Sequence, residues 1–202
     1  MKTTLSEKEI QEIVRKTVHQ TLGKTLETKA PASTAVDHPN QVSSHEETQQ
    51  LVVAIGTDHG GVDLKDILKQ ALISLGYQVM DCGTHTKDAV DYPDIAQEVA
   101  QLVASGKAWR GVIIDGAGIG SCMAANKIPG VRAAMCYDHA SAVNSREHNT
   151  ANILTLGAGM IGVNLAKQIL EIWLSTEFGG GRHAKRVDKI TAIEKQYLKD
   201  GK

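Results

Sequence analysis

Four groups of polar residues carry the chemistry this chain offers. Asp58 and His59 follow an apolar run at residues 51–56. Asp115 ends a second run at 111–115 and opens the glycine stretch Gly116-Ala117-Gly118-Ile119-Gly120. His148 and Asn149 close a helical stretch, and Arg182, His183 and Arg186 open another. A carboxylate at a strand end, then a loop without side-chain bulk, then a helix start, sets a base beside a nest of backbone N–H groups. Such a nest suits phosphate or developing oxyanion charge. Arg182 and Arg186 stand at i, i+4 and can share one face toward a dianion. A base, an acid and a phosphate clamp suffice to move a proton between adjacent carbons of a phosphorylated sugar, with no metal and no nucleotide. Each group also has a plainer reading. Asp58 can cap a helix, His148 can satisfy a helix C-terminus, the arginines can form a solvated face, and the glycines can simply allow a tight turn.

The elements that must hold these groups follow from periodicity. Short apolar runs at 51–56, 77–81, 111–115, 131–137 and 152–156 read as strands buried in a parallel sheet. Between them, Leu64, Ile67, Leu68, Ala71, Leu72 and Leu75 recur at helical spacing over 62–75. Ile95, Ala96, Val99, Leu102 and Val103 do the same after Asp91-Tyr92-Pro93-Asp94, where Pro93 is tolerated in a first turn. A further helix is expected over 161–175, and the Gly179-Gly180-Gly181 break precedes a last one. Strict alternation predicts an α/β fold with a five-stranded, doubly wound parallel sheet. In such sheets ligands bind at the carboxyl ends of strands.

Residues 1–24 form a separate device. Ser6 caps, Glu9 completes a capping box, Leu5 and Ile10 form a hydrophobic staple, and Ile10, Ile13, Val14, Val18 and Leu22 share one side. Residues 25–50 turn to Ala, Pro, Ser, Thr, Gln and Glu without periodicity and read as a flexible linker to a main domain at 51–202. The tethered helix either folds back on that domain or offers residues 5–22 to another protein. Its stripe lacks Trp and Phe, which disfavours a membrane surface.

Lys and Arg number 22 against 23 Asp and Glu, for a net charge of −1, so no basic field invites nucleic acid or an anionic membrane. Cys82, Cys122 and Cys136 form no C-x-x-C pair, which predicts a reducing compartment with neither disulfides nor a structural zinc. No apolar run approaches the ~20 residues that cross a bilayer, and no secretory signal opens the chain. A cytoplasmic protein with no metal and no cofactor is expected.

Thr57-Asp58-His59-Gly60-Gly61, Asp91-Tyr92-Pro93-Asp94, Gly116-Ala117-Gly118-Ile119-Gly120 with Ala124-Ala125-Asn126-Lys127, Arg146-Glu147-His148-Asn149, and Gly181-Arg182-His183 with Arg186-Val187 occur in that order. Together, over roughly residues 51–190, they resemble the ribose-5-phosphate isomerase B family, which also includes galactose-6-phosphate isomerase subunits. The resemblance implies a flavodoxin-like three-layer αβα fold. It also implies a cofactor-independent aldose–ketose isomerase working through a cis-enediolate, with ribose 5-phosphate as the leading substrate. A homodimer or dimer of dimers, with active sites shared between subunits, follows from it too. Asp58, His59 and Tyr92 would then hold the sugar, and Gly116, Ala117, Gly118, Ile119 and Gly120 would cradle the enediolate oxygens. His148 would protonate the ring oxygen during ring opening, Asn149 would contact the substrate, and Arg182 and Arg186, with His183 between them, would bind phosphate across the dimer. The N-terminal layout resembles the encapsulation peptides that recruit enzymes into bacterial microcompartments by binding shell or cargo proteins.

Four positions depart from the family pattern. Asp115 stands where the catalytic cysteine is usual, and Ser121 where some members carry a glutamate instead. Ala117 stands where Thr or Ser assists ring opening, and Gly159 where an arginine binds phosphate. A carboxylate is a competent base for a proton α to a carbonyl when donors stabilise the enediolate, so Asp115 is expected to be the base. Cys122, seven residues further on, is expected to turn into helix packing. The alternatives are an isomerase for a different sugar phosphate and a noncatalytic sugar-phosphate-binding or structural subunit. A dinucleotide site is disfavoured, because Ser121 holds the third glycine position and the strand is the third rather than the first.

Overall fold

Strands and helices alternate up to a final pair of helices over residues 51–198, which are the residues the computed structural model describes. The expected N-terminal helix and linker, at 1–24 and 25–50, lie outside the described residues. The order is β1 (Val52–Thr57), α1 (Val62–Ser74), β2 (Gln78–Gly83), α2 (Tyr92–Ala104), β3 (Arg110–Asp115), α3 (Ile119–Ala125), β4 (Ala133–Met135), α4 (His139–Glu147), β5 (Ile153–Gly157), α5 (Val163–Ser175) and α6 (Arg182–Tyr197). All pairings are parallel, in the order β2-β1-β3-β5-β4. The flavodoxin-like three-layer architecture is therefore present. The chain leaves β1 on one side for β2 and returns on the other for β3. Their carboxyl ends flank the crevice where ligands bind in such sheets. No helix among the described residues is long and apolar enough to cross a membrane.

The period of two along the strands explains the two faces and the aim of Asp115. Val53 and Ile55 of β1, Val112 and Ile114 of β3, and Leu154 and Leu156 of β5 share one core with Leu68 and Leu72 of α1 and with Ile169, Leu170 and Trp173 of α5. Ala54, Ile113 and Ile153 face the other core, with Val99 and Val103 of α2 and Ala125 of α3. Asp115 shares parity with Ile113, so its side chain leaves the strand on the α2–α3 face. Helix α2 lies close there, since a Cβ on Gly56 or Gly111 would come within 2.8 or 2.7 Å of the Val99 side chain.

β4 spans three residues rather than the seven the sequence predicts. It is an edge strand whose start is diverted by side chains. The Arg132 N–H goes to Asn152 Oδ1 at 2.7 Å. The Asn126 amide covers the free edge, accepting the Ala133 N–H and donating to the Ala133 carbonyl, both at 2.9 Å.

Two buried cations tie the layers at opposite edges. Lys65 of α1 is fully buried and donates to Asp81 Oδ1 at 2.6 Å and to the Thr84 carbonyl at 3.0 Å, holding the loop that leads to α2. Lys69 adds a 2.6 Å bond to Asp81 Oδ2. Burial alone would raise the Asp81 carboxyl, but these lysines carry it below the ordinary carboxylate range. At the other edge Arg110 donates to the Trp173 and Leu174 carbonyls at 3.0 and 2.7 Å, where α5 presents its negative end. Arg146, also buried, donates to the Ala151 carbonyl at 2.5 Å and fixes the end of α4 just before Glu147 and His148.

Candidate functional site

The glycine loop after β3 is a nest, and its occupant is Asp115. The carboxylate, 4% exposed, accepts the Ala117 N–H at 2.7 Å and the Gly118 N–H on Oδ1, and the Ser121 N–H at 3.0 Å on Oδ2. Gly118 makes this possible with φ +79°, and a Cβ there would stand 2.9 Å from the Leu156 backbone carbon. Tyr92, the first residue of α2, lies against the far side of the loop. A Cβ on Gly120 would come within 2.5 Å of its ring. Asp58 is buried at the end of β1 and accepts the Gly60 N–H at 2.9 Å, ahead of α1, whose N-cap is Gly61 without a side-chain bond. A Cβ on Gly60 would be 3.3 Å from Asp58 Oδ1 and 3.6 Å from the Gly116 nitrogen, so Asp58 borders the nest. His59 is exposed, and its Nδ1 accepts the Val90 N–H at 3.3 Å. That leaves Nε2–H, in the neutral ring, as a donor.

Cys122 is not part of this group. Its thiol donates to the Ala133 carbonyl at 3.4 Å, and burial pushes it above the ordinary thiol value. It is packed, as the sequence predicts, and not poised as a thiolate. Ser121 is fully buried and its hydroxyl has no partner among the described residues.

His148, Asn149, Arg182, His183 and Arg186 gather elsewhere. His148 and His183 stack with ring centroids 4.0 Å apart and planes 7° apart. Asn144 Nδ2 lies 2.8 Å from His148 Nδ1, and Asn149 donates to Asn144 Oδ1 at 3.4 Å. With the Asn144 oxygen so engaged, its NH2 donates to Nδ1, and the neutral His148 ring carries its proton on Nε2. Burial, then the neighbouring His148, Arg182 and Arg186, push the His183 imidazole below its ordinary value. Arg182 and Arg186 are exposed, and α6 buries none of its residues.

The two groups occupy opposite edges of the sheet. Helix α4 starts beyond the carboxyl end of β4 and runs back for nine residues, roughly 13 Å, to reach His148 beside the start of β5. Asp115 and His148 of one chain therefore do not meet over one substrate. A groove of about 960 Å³ lies on the His148 side, lined in part by Asn126, Val131, Asn144, Ile190, Ile193 and Tyr197. No cluster of three or more His, Cys, Asp or Glu that could hold a metal ion occurs among the described residues.

Sequence reasoning missed the groups behind the loop. The Ala158 N–H donates to the Asp115 carbonyl at 2.8 Å and the Gly159 N–H to the Gly116 carbonyl at 3.0 Å. The Tyr137 hydroxyl donates to the Ala117 carbonyl at 2.6 Å and the Thr155 hydroxyl to the Gly118 carbonyl at 2.9 Å. One signal was available. Thr155 is the single polar residue of a buried strand and shares parity with Ile153, the α3 side.

A family model described as Ribose/Galactose Isomerase matches residues 53–190. Ribose-5-phosphate isomerase B of Escherichia coli is 43% identical over 144 residues, covering 71% of this chain and 97% of its own length. D-erythrulose-4-phosphate isomerase of Pectobacterium atrosepticum is 42% identical over 147 residues, covering 72% and 97%. The solved structure of Clostridium thermocellum ribose-5-phosphate isomerase B superposes with a TM-score of 0.72 at 51% identity, covering 73% of this chain and 99% of that one.

Proposed function

The chain belongs to the ribose/galactose isomerase family and is a sugar-phosphate isomerase, and on that premise we propose that it interconverts ribose 5-phosphate and ribulose 5-phosphate with Asp115 as base and His148 as acid. The observation that carries this reading is the Asp115 carboxylate fixed at the β1–β3 crevice. Oδ1 holds two N–H groups and Oδ2 one, so Oδ2 keeps a lone pair for a proton. In the open-chain sugar, the C2–H bond breaks toward Asp115 and its electron pair forms the C1=C2 bond, while the carbonyl pair moves onto O1. Returning the proton to C1, while the O2 proton passes to O1, leaves the carbonyl on C2. Tyr92, Asp58 and His59 border the nest and hold the sugar hydroxyls. The His148 Nε2–H is the donor for the ring oxygen, and Arg182, His183 and Arg186 take the phosphate.

The opposite placement of the two groups requires a second copy. In a homodimer the Asp115 edge of one chain meets the His148 edge of the other, and the exposed Ile190, Ile193 and Tyr197 of α6 supply the contact. Two inactive variants test this, Asp115→Asn and His148→Asn, mixed after dissociation. Random reassembly gives half the dimers one intact site each, so about a quarter of wild-type turnover returns. No recovery sinks the shared site.

One observation favours a second substrate. Ala117 places no hydroxyl beside the nest, and the family relative named for D-erythrulose 4-phosphate acts on a four-carbon sugar. With its terminal oxygen phosphorylated, such a sugar has no hydroxyl left to close a five-membered ring and needs no ring opening. Assays with both sugars in deuterated water separate the readings. Exchange with ribose 5-phosphate supports the first, exchange only with the tetrose the second, and exchange with neither supports a noncatalytic subunit.

Residues 5–22 serve as the docking stripe for a microcompartment shell or cargo protein, joined by the 25–50 linker to the isomerase domain. A fluorescent fusion of residues 1–24 should concentrate at such a shell. A diffuse signal in a cell assembling one counts against it.

A further inference from the structure

The loop from Asp115 to Ile119 consists of peptide planes gripped from behind. In a trans peptide the C=O and N–H point in opposite directions, so a donor that holds the carbonyl of one residue aims the N–H of the next the other way. All peptides here are trans. The Ala158 and Gly159 N–H groups at the end of β5 hold the Asp115 and Gly116 carbonyls, and these are backbone donors that the sheet supplies. For the next two planes the sheet supplies none, and the Gly118 carbonyl takes only a long 3.4 Å bond from the Cys122 N–H of its own helix. The Ala117–Gly118 plane is held by the Tyr137 hydroxyl at 2.6 Å, and its N–H points to Asp115 Oδ1. The Gly118–Ile119 plane is held by the Thr155 hydroxyl at 2.9 Å, which turns the Ile119 N–H away from β5. Glycine at 118, with φ +79°, would otherwise allow either plane to turn.

One hydroxyl comes from β5 and the other from just beyond β4, and nothing in the expected chemistry uses them. Thr155 is fully buried in β5, and Tyr137 sits just past β4, half-buried. We propose that Tyr137 and Thr155 are positioning residues of the isomerase site: by holding the Ala117 and Gly118 carbonyls they fix the Gly118 N–H on the Asp115 carboxylate and present the Ile119 N–H to the developing oxyanion. This rests on the reading of Asp115 as the isomerase base. It places the hydroxyl function of this loop behind the nest, where Ala117 itself has none.

The test compares Tyr137→Phe, Thr155→Val and Thr155→Ser by steady-state kinetics with ribose 5-phosphate and the tetrose phosphate, and by the amide proton resonances of Gly118 and Ile119. Losing one hydroxyl should lower kcat about tenfold, the weight of one hydrogen bond, with KM held within about twofold. Thr155→Ser should keep wild-type kcat. The Gly118 amide, bonded to a carboxylate, should move upfield in Tyr137→Phe, and the Ile119 amide should move in Thr155→Val. Unmoved amide resonances overturn the proposal, whether or not kcat falls. A Thr155→Ser variant as slow as Thr155→Val overturns it for Thr155. Wild-type protein that turns over no sugar phosphate overturns the isomerase reading instead, and the amide resonances still decide whether the two hydroxyls hold the planes.

Discussion

The two edges of the sheet are built on opposite terms. At the carboxyl edge each group around Asp115 is held. Three N–H groups seat the carboxylate, five donors grip the loop carbonyls, and Lys65 anchors the loop leading to Tyr92. At the amino edge the histidines lean on one another and α6 buries nothing, with Ile193 57% and Tyr197 76% exposed. A fixed edge can place a reacting proton within a fraction of an ångström, as proton abstraction demands. An open edge can bind a dianion with mobile guanidiniums, and it gains its order from whatever covers it. On the proposed reading the chain supplies one finished half-site and one unfinished one, and a second copy brings the two together.

If this division is right, substitutions at the two edges fail in different kinetic constants. Asp115→Asn keeps the shape, removes the base, and should lower kcat at least a thousandfold with KM little changed. Arg186→Gln should leave kcat nearly intact and raise KM about 10- to 100-fold, the weight of a charge-assisted hydrogen bond. Equal effects on the same constant would erase the distinction. Unchanged turnover in Asp115→Asn would remove the base assignment altogether.

Stability should divide the same way. Asp81→Ala strands buried Lys65 and should cost about 3–5 kcal/mol in chemical denaturation. Arg186→Gln, on an exposed face, should stay within about 0.5 kcal/mol. The wild type carries a pH signature of the first pair. The folded Asp81 carboxyl lies below its unfolded value, so its contribution is complete above the ordinary carboxylate range. It is lost as pH falls through the folded value. Asp81→Ala should flatten the acid limb of the stability curve, and an unaltered limb would assign it to other carboxylates.

Much of the finished edge was legible in the residues. Five apolar runs and two helical stripes between them give the sheet, and strand parity alone aims Asp115 toward the α2–α3 face. The short β4 was not legible, because Asn126 and Asn152 divert its start through side chains distant in sequence. The direction of N–H groups was not legible either. Gly116–Gly120 announces a nest, yet that Asp115 itself fills part of it depends on φ and ψ that glycine leaves open. The separation of His148 from Asp115 lies in the topology and not in residue type, because a helix that starts at a strand's carboxyl end finishes at the opposite edge.

The contact proposed between copies should respond more gently than the chemistry. Ile193→Asp adds a charge to the face of α6 that is more than half exposed, so one chain should fold with its stability unchanged. Sedimentation at micromolar concentration should show a dimer or larger for the wild type and monomers for this variant, whose turnover should recover as protein concentration rises. A variant that stays dimeric places the contact elsewhere on the surface.

The smallest effect lies in the unfinished edge itself, in the His148–His183 stack. The two rings stand 4.0 Å apart, with Arg182 and Arg186 adding positive charge beside His183 and Glu147 opposing it. Burial first, and then these neighbours, depress the folded His183 value, and the sign follows. The folded state binds fewer protons than the unfolded chain as pH falls below the ordinary imidazole value, so this edge loses stability there and regains it as pH rises. A phosphate dianion reverses the balance, because it compensates both arginines and favours the charged ring. The C2 proton of His183, followed through a pH titration, should give a value below that of a free imidazole without phosphate and a higher one with inorganic phosphate present. A His183 value that ignores phosphate would take the dianion away from this edge, and with it the reason for two unlike halves.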